Sequence, residues 1–332
     1  MAGMNEAPLL RVRDIEFYEW PFTLRLPFRF GAITVTHGRQ AVARARIELA
    51  DGRSTWGVAA ESLAAKWFDK DPAVSDDDNL DQLRLALQLA AAQYAAQPPQ
   101  TAYGHFAEAY APQLEQGRRQ RLNPLVASYG PAMLDRCVLD GLGKLLGLSF
   151  YEMIRGNLAG IEPSVLAPDL HGFDFAGFLH GLTPHCSLPA RHTVGMVDPI
   201  TAADQAPGTR VNDGLPETLE EIVAFYRQRY FKLKVGGDLA KDVARLSAIA
   251  AVLDRIDGPY HATLDGNEQY ADAAGVLALW QAMEREPRLE RLCRSVLFIE
   301  QPIKRAAAAT QDVTALAAKR PVIIDESDGD IG

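Results

Sequence analysis

From residue 217 onward, helical and extended patterns alternate, and every extended run ends in charged residues. Helical spacing marks residues 217–230, with Leu219, Ile222, Val223 and Tyr226 on one face. It returns at 239–253, with Leu239, Val243, Leu246, Ile249 and Leu253, again near 272–285, and briefly near 311–318. Between these lie short apolar runs at 231–235, 260–264, 296–299 and 321–324, preceded by one more at 192–198. Strand and helix in turn require parallel strands with right-handed crossovers, which a doubly wound sheet and a (β/α) barrel both satisfy.

The ends of these strands carry the chemistry. One ends in "FKLKVGG" (231–237), where Lys232 and Lys234 share one side of the strand. The next ends in Asp265 and Asn267 ("LDGN"), the next in Glu300 ("FIEQP"), and the last in Asp325 and Glu326 ("IIDES"). In parallel α/β sheets and barrels ligands bind at that edge. From Lys234 to Asp265, Glu300 and Asp325 the steps are 31, 35 and 25 residues, against about 31 per unit in a barrel of about 250 residues. Three carboxylates converging on one mouth need a cation to stay ionised, and an oxygen-only donor set selects a hard divalent ion, Mg²⁺. The same crowding explains the paired lysines. Two ammonium groups about 7 Å apart repel by about 2.4 kcal/mol at an effective dielectric of 20, nearly two pKa units. Lys232 thereby makes Lys234 a weaker base with a usable free amine.

The order Lys-x-Lys, Asp-x-Asn, Ile-Glu-Gln-Pro, Asp-Glu-Ser resembles the enolase superfamily, in its mandelate racemase/muconate lactonizing enzyme family. Asp325, rather than a glutamate, favours the muconate lactonizing branch. The resemblance implies that Asp265, Glu300 and Asp325 hold Mg²⁺, that Lys234 is the base with Lys232 beside it, and that Asn267 and Glu326 support them. It implies abstraction of the proton α to a carboxylate, with Mg²⁺ stabilising the enediolate, leading to racemisation, epimerisation, cycloisomerisation or dehydration of a small carboxylate. The alternatives are a truncated, non-catalytic homologue that binds metal only, or an acid-sugar dehydratase of the mandelate racemase type.

The expected fold is α/β: an N-terminal α+β capping domain (1–155), then an enolase-type barrel (156–332) incomplete after its fifth strand. In the capping domain, 41–49 alternates as a half-buried strand, Asp51-Gly52 marks a turn, and "STWGVAAES" reads as the hairpin partner. Residues 9–20 make a third strand. Residues 78–97 and 131–147 read as helices, the latter ended by Gly147. "MLDRCVLDGLGKLLGLSFYEMIRG" (133–156) resembles the family's helix leading into the barrel. "FRFGAITVTHG" (28–38) reads either as a mobile specificity loop or as a plain hairpin connection. Counting from His192, the barrel part has 141 residues. The resemblance places a second lysine, or a His–Asp pair, on later strands.

Composition limits the partners. The net charge of −9 argues against nucleic acid and anionic membranes. Cys137, Cys186 and Cys293 are far apart, as in a reduced cytoplasmic protein, and no signal peptide or membrane span is visible. His171, His180, His185, Cys186 and His192 are too irregularly spaced for a zinc site. The expected partner is a small carboxylate, with a homo-oligomer if the chain is full length.

Overall fold

The computed structural model describes residues 6–31, 33–308, 310–329 and 331, which fall into two compact units. The first contains residues 6–22, 38–186 and the last described residues from 329. The second contains residues 23–37 and 187–328.

The first unit is an antiparallel sheet packed on helices. Strands β1 (Leu10–Phe30), β2 (Ile33–Leu49) and β3 (Ser54–Ser62) neighbour one another in that order, with Gln40 opposite Ser62 and Glu48 opposite Ser54. Ala41, Ala43, Ala45, Ile47 and Leu49 are all buried, as their alternation requires. Arg44 and Arg46, on the other face, pair with Glu16 and Asp14 of β1.

Three helices follow: Asp76–Ala96, Ala102–Arg119 and Pro124–Leu146. The first is opened by a capping box of Ser75 and Asp78. The third begins seven residues before the sequence reading, because Asn123 caps it and Pro124 occupies its first turn. Pro131 lies inside it, and Gly147 closes it at φ 67°. This helix lies against β3 with no room for a side chain between them. A Cβ on Gly57 would stand 1.8 Å from the Cys137 carbonyl oxygen.

The second unit holds a five-stranded parallel sheet in sequential order: β4 (Arg191–Val194), β5 (Tyr230–Lys234), β6 (His261–Asp265), β7 (Val296–Glu300) and β8 (Val322–Ile323). The connecting helices Leu219–Tyr226, Leu239–Leu253, Ala273–Arg285 and Thr314–Ala317 lie close to the ranges read from periodicity. The first ends four residues early because Arg227 turns left-handed, at φ 54°. Phe231, Leu233, Leu246, Ile249, Leu264, Trp280, Met283 and Ile299 form its core.

Within 28–38, residues 28–30 and 33–38 are extended, and residues 23–31 and 33–37 belong to the second unit. Arg25 there donates to both carboxylate oxygens of Asp213 at 2.6 Å and to the carbonyls of Leu215 and Pro216 at 3.0 Å. The Met196 amide donates to the Arg29 carbonyl at 2.9 Å.

Two outcomes are expected. Gly57→Ala must part β3 from the long helix, so it should cost at least about 2 kcal/mol in urea unfolding. Burial raises the Asp135 carboxyl to about 6. Its folded pKa thus lies above the unfolded value, so this group's contribution is favourable at low pH and lost as pH rises through about 6. Asp135→Asn should therefore raise the unfolding free energy at pH 7.5 by on the order of 1–2 kcal/mol, read in urea, and leave it nearly unchanged at pH 4.

Candidate active site

The register of the parallel sheet sets the site. Lys234 pairs with Asp265, Asp265 with Glu300, and Glu300 with Ile323, two residues before Asp325. Lys234, Asp265 and Glu300 therefore stand at one height along the C-terminal edge, whereas Asp325 follows two residues past the end of β8. Lys234, Asp265, Asn267, Glu300 and Glu326 are buried, and Asp325 is half-buried.

Two ammonium groups converge on one carboxylate oxygen. Lys234 Nζ lies 2.5 Å from Asp265 Oδ2, and Lys232 Nζ lies 2.7 Å from the same atom. Lys232 also donates to Glu300 Oε1 at 2.5 Å. Lys234 donates to Asn267 Oδ1 at 2.5 Å, and the Asn267 amide donates to Asp265 Oδ1 at 2.9 Å. Asn267 Nδ2 continues the chain to Glu326 Oε1 at 3.0 Å. Asn267 takes φ 42°, a left-handed conformation that asparagine tolerates better than most residues. Phe30 of β1 places its ring centroid 6.0 Å from Lys234 Nζ, the outer limit of cation–π attraction.

The charges perturb one another in opposite senses. Burial pushes the Lys234 ammonium down; Asp265 opposes this, Lys232 adds to it, and the net shift is downward. Burial also acts to lower Lys232, but Asp265 and Glu300 outweigh it and the net shift is upward. Asp265 is lowered, because the two lysines overcome its burial. Asp325 goes the other way: burial first, then the charges of Glu326 and Glu300, raise it to about 6.

This asymmetry is a test of fit for a cation. Lys232 and Lys234 compensate Asp265 and Glu300, while negative potential builds up at Asp325. Among the described residues no three His, Cys, Asp or Glu side chains are gathered as a metal-binding group; the Lys232 ammonium stands between Asp265 and Glu300. The donors Asp265, Glu300 and Asp325 are all oxygen, and the potential at Asp325 invites a positive charge. By donor chemistry this all-oxygen set is the kind a hard divalent ion takes, but Lys232 holds Asp265 and Glu300 in this arrangement.

The sequence reading did not single out several supporting groups. Gly266 is needed because β6 and β7 approach closely beyond their ends: a Cβ there would lie 2.6 Å from Pro302 Cα. Glu268, buried, and Arg305, half-buried, form an ion pair at 2.8 Å between the loops after β6 and β7. Arg191 Nη1 reaches to 4.0 Å from Glu300 Oε2. Gln301 links three loops, and the "EQP" triplet was the only signal of it. His171, His180, His185 and Cys186 are exposed, and His192 is half-buried.

Neither protein-family models nor curated proteins match this chain. Solved structures do. A muconate lactonizing enzyme from Pseudomonas fluorescens, complexed with muconolactone, superposes with a TM-score of 0.57 at 20% identity over 97% of this chain and 67% of its own. An enolase from Bradyrhizobium, complexed with magnesium and mandelic acid, gives 0.57 at 17% identity, covering 95% and 67%. A dipeptide epimerase from Methylococcus capsulatus, complexed with Mg and the dipeptide L-Arg-D-Lys, gives 0.51 at 21%, covering 96% and 68%. The chain thus has the enolase-type fold of the mandelate racemase/muconate lactonizing enzymes, and it spans about two thirds of their length.

Gly266→Ala should push the β6 loop off Pro302, costing at least about 2 kcal/mol in urea unfolding. Retention of wild-type stability would mean that the two strand ends have slack.

Proposed function

We propose that the chain belongs to the mandelate racemase/muconate lactonizing enzyme family and removes the proton α to a carboxylate of a small substrate, in a Mg²⁺-dependent isomerisation or elimination. The observation that carries this reading is the buried Lys232–Asp265–Lys234 cluster at the carboxyl edge of the parallel strands, with Lys234 shifted toward its neutral form. The fold is shared with a muconate lactonizing enzyme, a dipeptide epimerase and an N-succinyl Arg/Lys racemase, which supports the reaction class.

Each side chain then has a role. The C–H bond α to the carboxylate breaks, its proton passes to Lys234 Nζ, and its electron pair moves onto the carboxylate oxygens. Lys232 stays protonated and offers a fixed positive charge to those oxygens. Asn267 holds Lys234 in place through Oδ1 and is itself held by Glu326. Asp265, Glu300 and Asp325 would hold the divalent ion, whose charge would stabilise the same developing anion. Racemisation or epimerisation requires a proton delivered to the opposite face of that carbon by a second acid, which Lys234 on its own face does not supply; loss of a β-hydroxyl as water gives a dehydration. A reducing, cytoplasmic setting fits Cys137, Cys186 and Cys293, all free thiols. No helix among the described residues is long and apolar enough to cross a membrane.

The test is solvent exchange. The protein is incubated with Mg²⁺ in D₂O and a panel of N-acyl amino acids, dipeptides and acid sugars, and deuterium at the α-carbon is followed by NMR. At least one substrate should exchange, and Lys234→Ala should slow that exchange by at least about 100-fold with the thermal transition retained. Undiminished exchange in Lys234→Ala would remove this residue as the base.

A further inference from the structure

Between Glu300 and Asp325 lies a residue that the chemistry above does not use. Gln301 is 1% exposed and takes φ 33°, a backbone conformation that a glutamine adopts only under constraint. Its main chain joins the neighbouring strands: its carbonyl accepts from the Glu268 amide at 2.9 Å, and its amide donates to the Ile323 carbonyl at 2.9 Å. Its side chain makes four further hydrogen bonds. Oε1 accepts from the amides of Asp325 at 2.8 Å and Ser327 at 3.1 Å. Nε2 donates to the Ile303 carbonyl at 2.9 Å and to Ser327 Oγ at 2.7 Å.

The partners fix the orientation of the amide. Two backbone N–H groups can only donate, and a backbone carbonyl can only accept, so one end must be oxygen and the other nitrogen. A methionine of similar length could form none of the four bonds. A glutamate would lose both donors. Asp325 itself sits on a turn after β8, a strand of only two residues, so regular pairing does little to place it. The Gln301 amide is what ties that turn to the end of β7.

We propose that Gln301 is the positioning residue of the metal site: it sets Asp325 against Glu300, and through Glu268 it ties both to the loop that follows Asp265. The inference rests on the metal reading given above. It assigns to Gln301 no contact with substrate or metal.

The test uses Mn²⁺ alone, with binding to the full chain followed by electron paramagnetic resonance. Gln301→Met keeps the volume and removes the four bonds. It should weaken Mn²⁺ binding by about 10–100-fold, the usual loss when a partner of a metal ligand is removed. Amide hydrogen exchange at Asp325 and Ser327 should quicken by at least about tenfold in the metal-free variant. Val276→Ala, a core change in the Ala273–Arg285 helix, controls for general destabilisation and should leave Mn²⁺ affinity unchanged. If Gln301→Met does not fold, Ser327→Ala, which removes only the hydroxyl partner, should still weaken Mn²⁺ binding severalfold. Wild-type affinity in Gln301→Met, or in Ser327→Ala where that variant stands in for it, overturns the inference and leaves the metal reading intact. Failure of the wild-type chain to bind Mn²⁺ overturns both.

Discussion

A single carboxylate oxygen, Asp265 Oδ2, accepts two ammonium groups in a buried setting. Without that carboxylate the two lysines would repel each other inside the sheet, and neither would keep its charge cheaply there. With it, each lysine has a counterion, yet the pair must share it. Burial acts to lower both, and their neighbours split them: Lys232 gains Glu300 as a second hydrogen-bonded anion and is raised, while Lys234, beside Lys232 and hydrogen-bonded to the neutral amide of Asn267, is lowered. One strand therefore carries a permanent cation and, two residues on, an amine nearer neutrality. The difference comes from which neighbour each lysine meets across the sheet, and so from the register of β5, β6 and β7.

The loops that hold this cluster are held less by regular pairing than by strained and buried polar residues. Asn267, Glu268 and Gln301 all have positive φ within the turns that follow β6 and β7. Such conformations cost of order 1–3 kcal/mol each and persist where the surroundings over-determine them. Here the surroundings are the Glu268–Arg305 pair, the four bonds of the Gln301 amide, and the Gly266–Pro302 approach. These hydrogen bonds tie the loops after β6 and β7 to the segment after β8 that carries Asp325 and Glu326.

Much of this was legible in the sequence because period and spacing are local properties. The alternation of Phe231, Leu233 and Val235 with two lysines puts both lysines on one side of the strand, and steps of 31 and 35 residues put Lys234, Asp265 and Glu300 in register, while Asp325 lies two residues past the end of β8. Other features were hidden. The helix Ala102–Arg119 carries Pro112 inside it, which reads as a breaker. In β1, Phe22, Leu24, Leu26, Phe28 and Phe30 do alternate, but Pro21 and Pro27 interrupt the signal; an edge strand tolerates them. Between 157 and 216 the elements are too short to show a period, and β4 has four residues. Gln301 was invisible for a different reason. Its partners are 2 to 26 residues away, and only the folded sheet brings them to one amide.

The sheet also sorts charge by strand. Arg191, Lys232 and Lys234 come from β4 and β5, whereas Asp265, Glu300, Asp325 and Glu326 come from β6, β7 and the segment after β8. Positive potential therefore lies toward one side of the edge and negative potential toward the other, and they meet where Asp265 and Glu300 touch the lysines. Asp325, farthest along this gradient, is the acid whose pKa rises to about 6. A substrate carboxylate would be repelled from the acid side and drawn to the lysine side, unless a cation first reversed the sign near Asp325. With that cation in place, positive charge would flank the carboxylate from both sides. That is the condition under which an α-proton becomes acidic enough for an amine to remove.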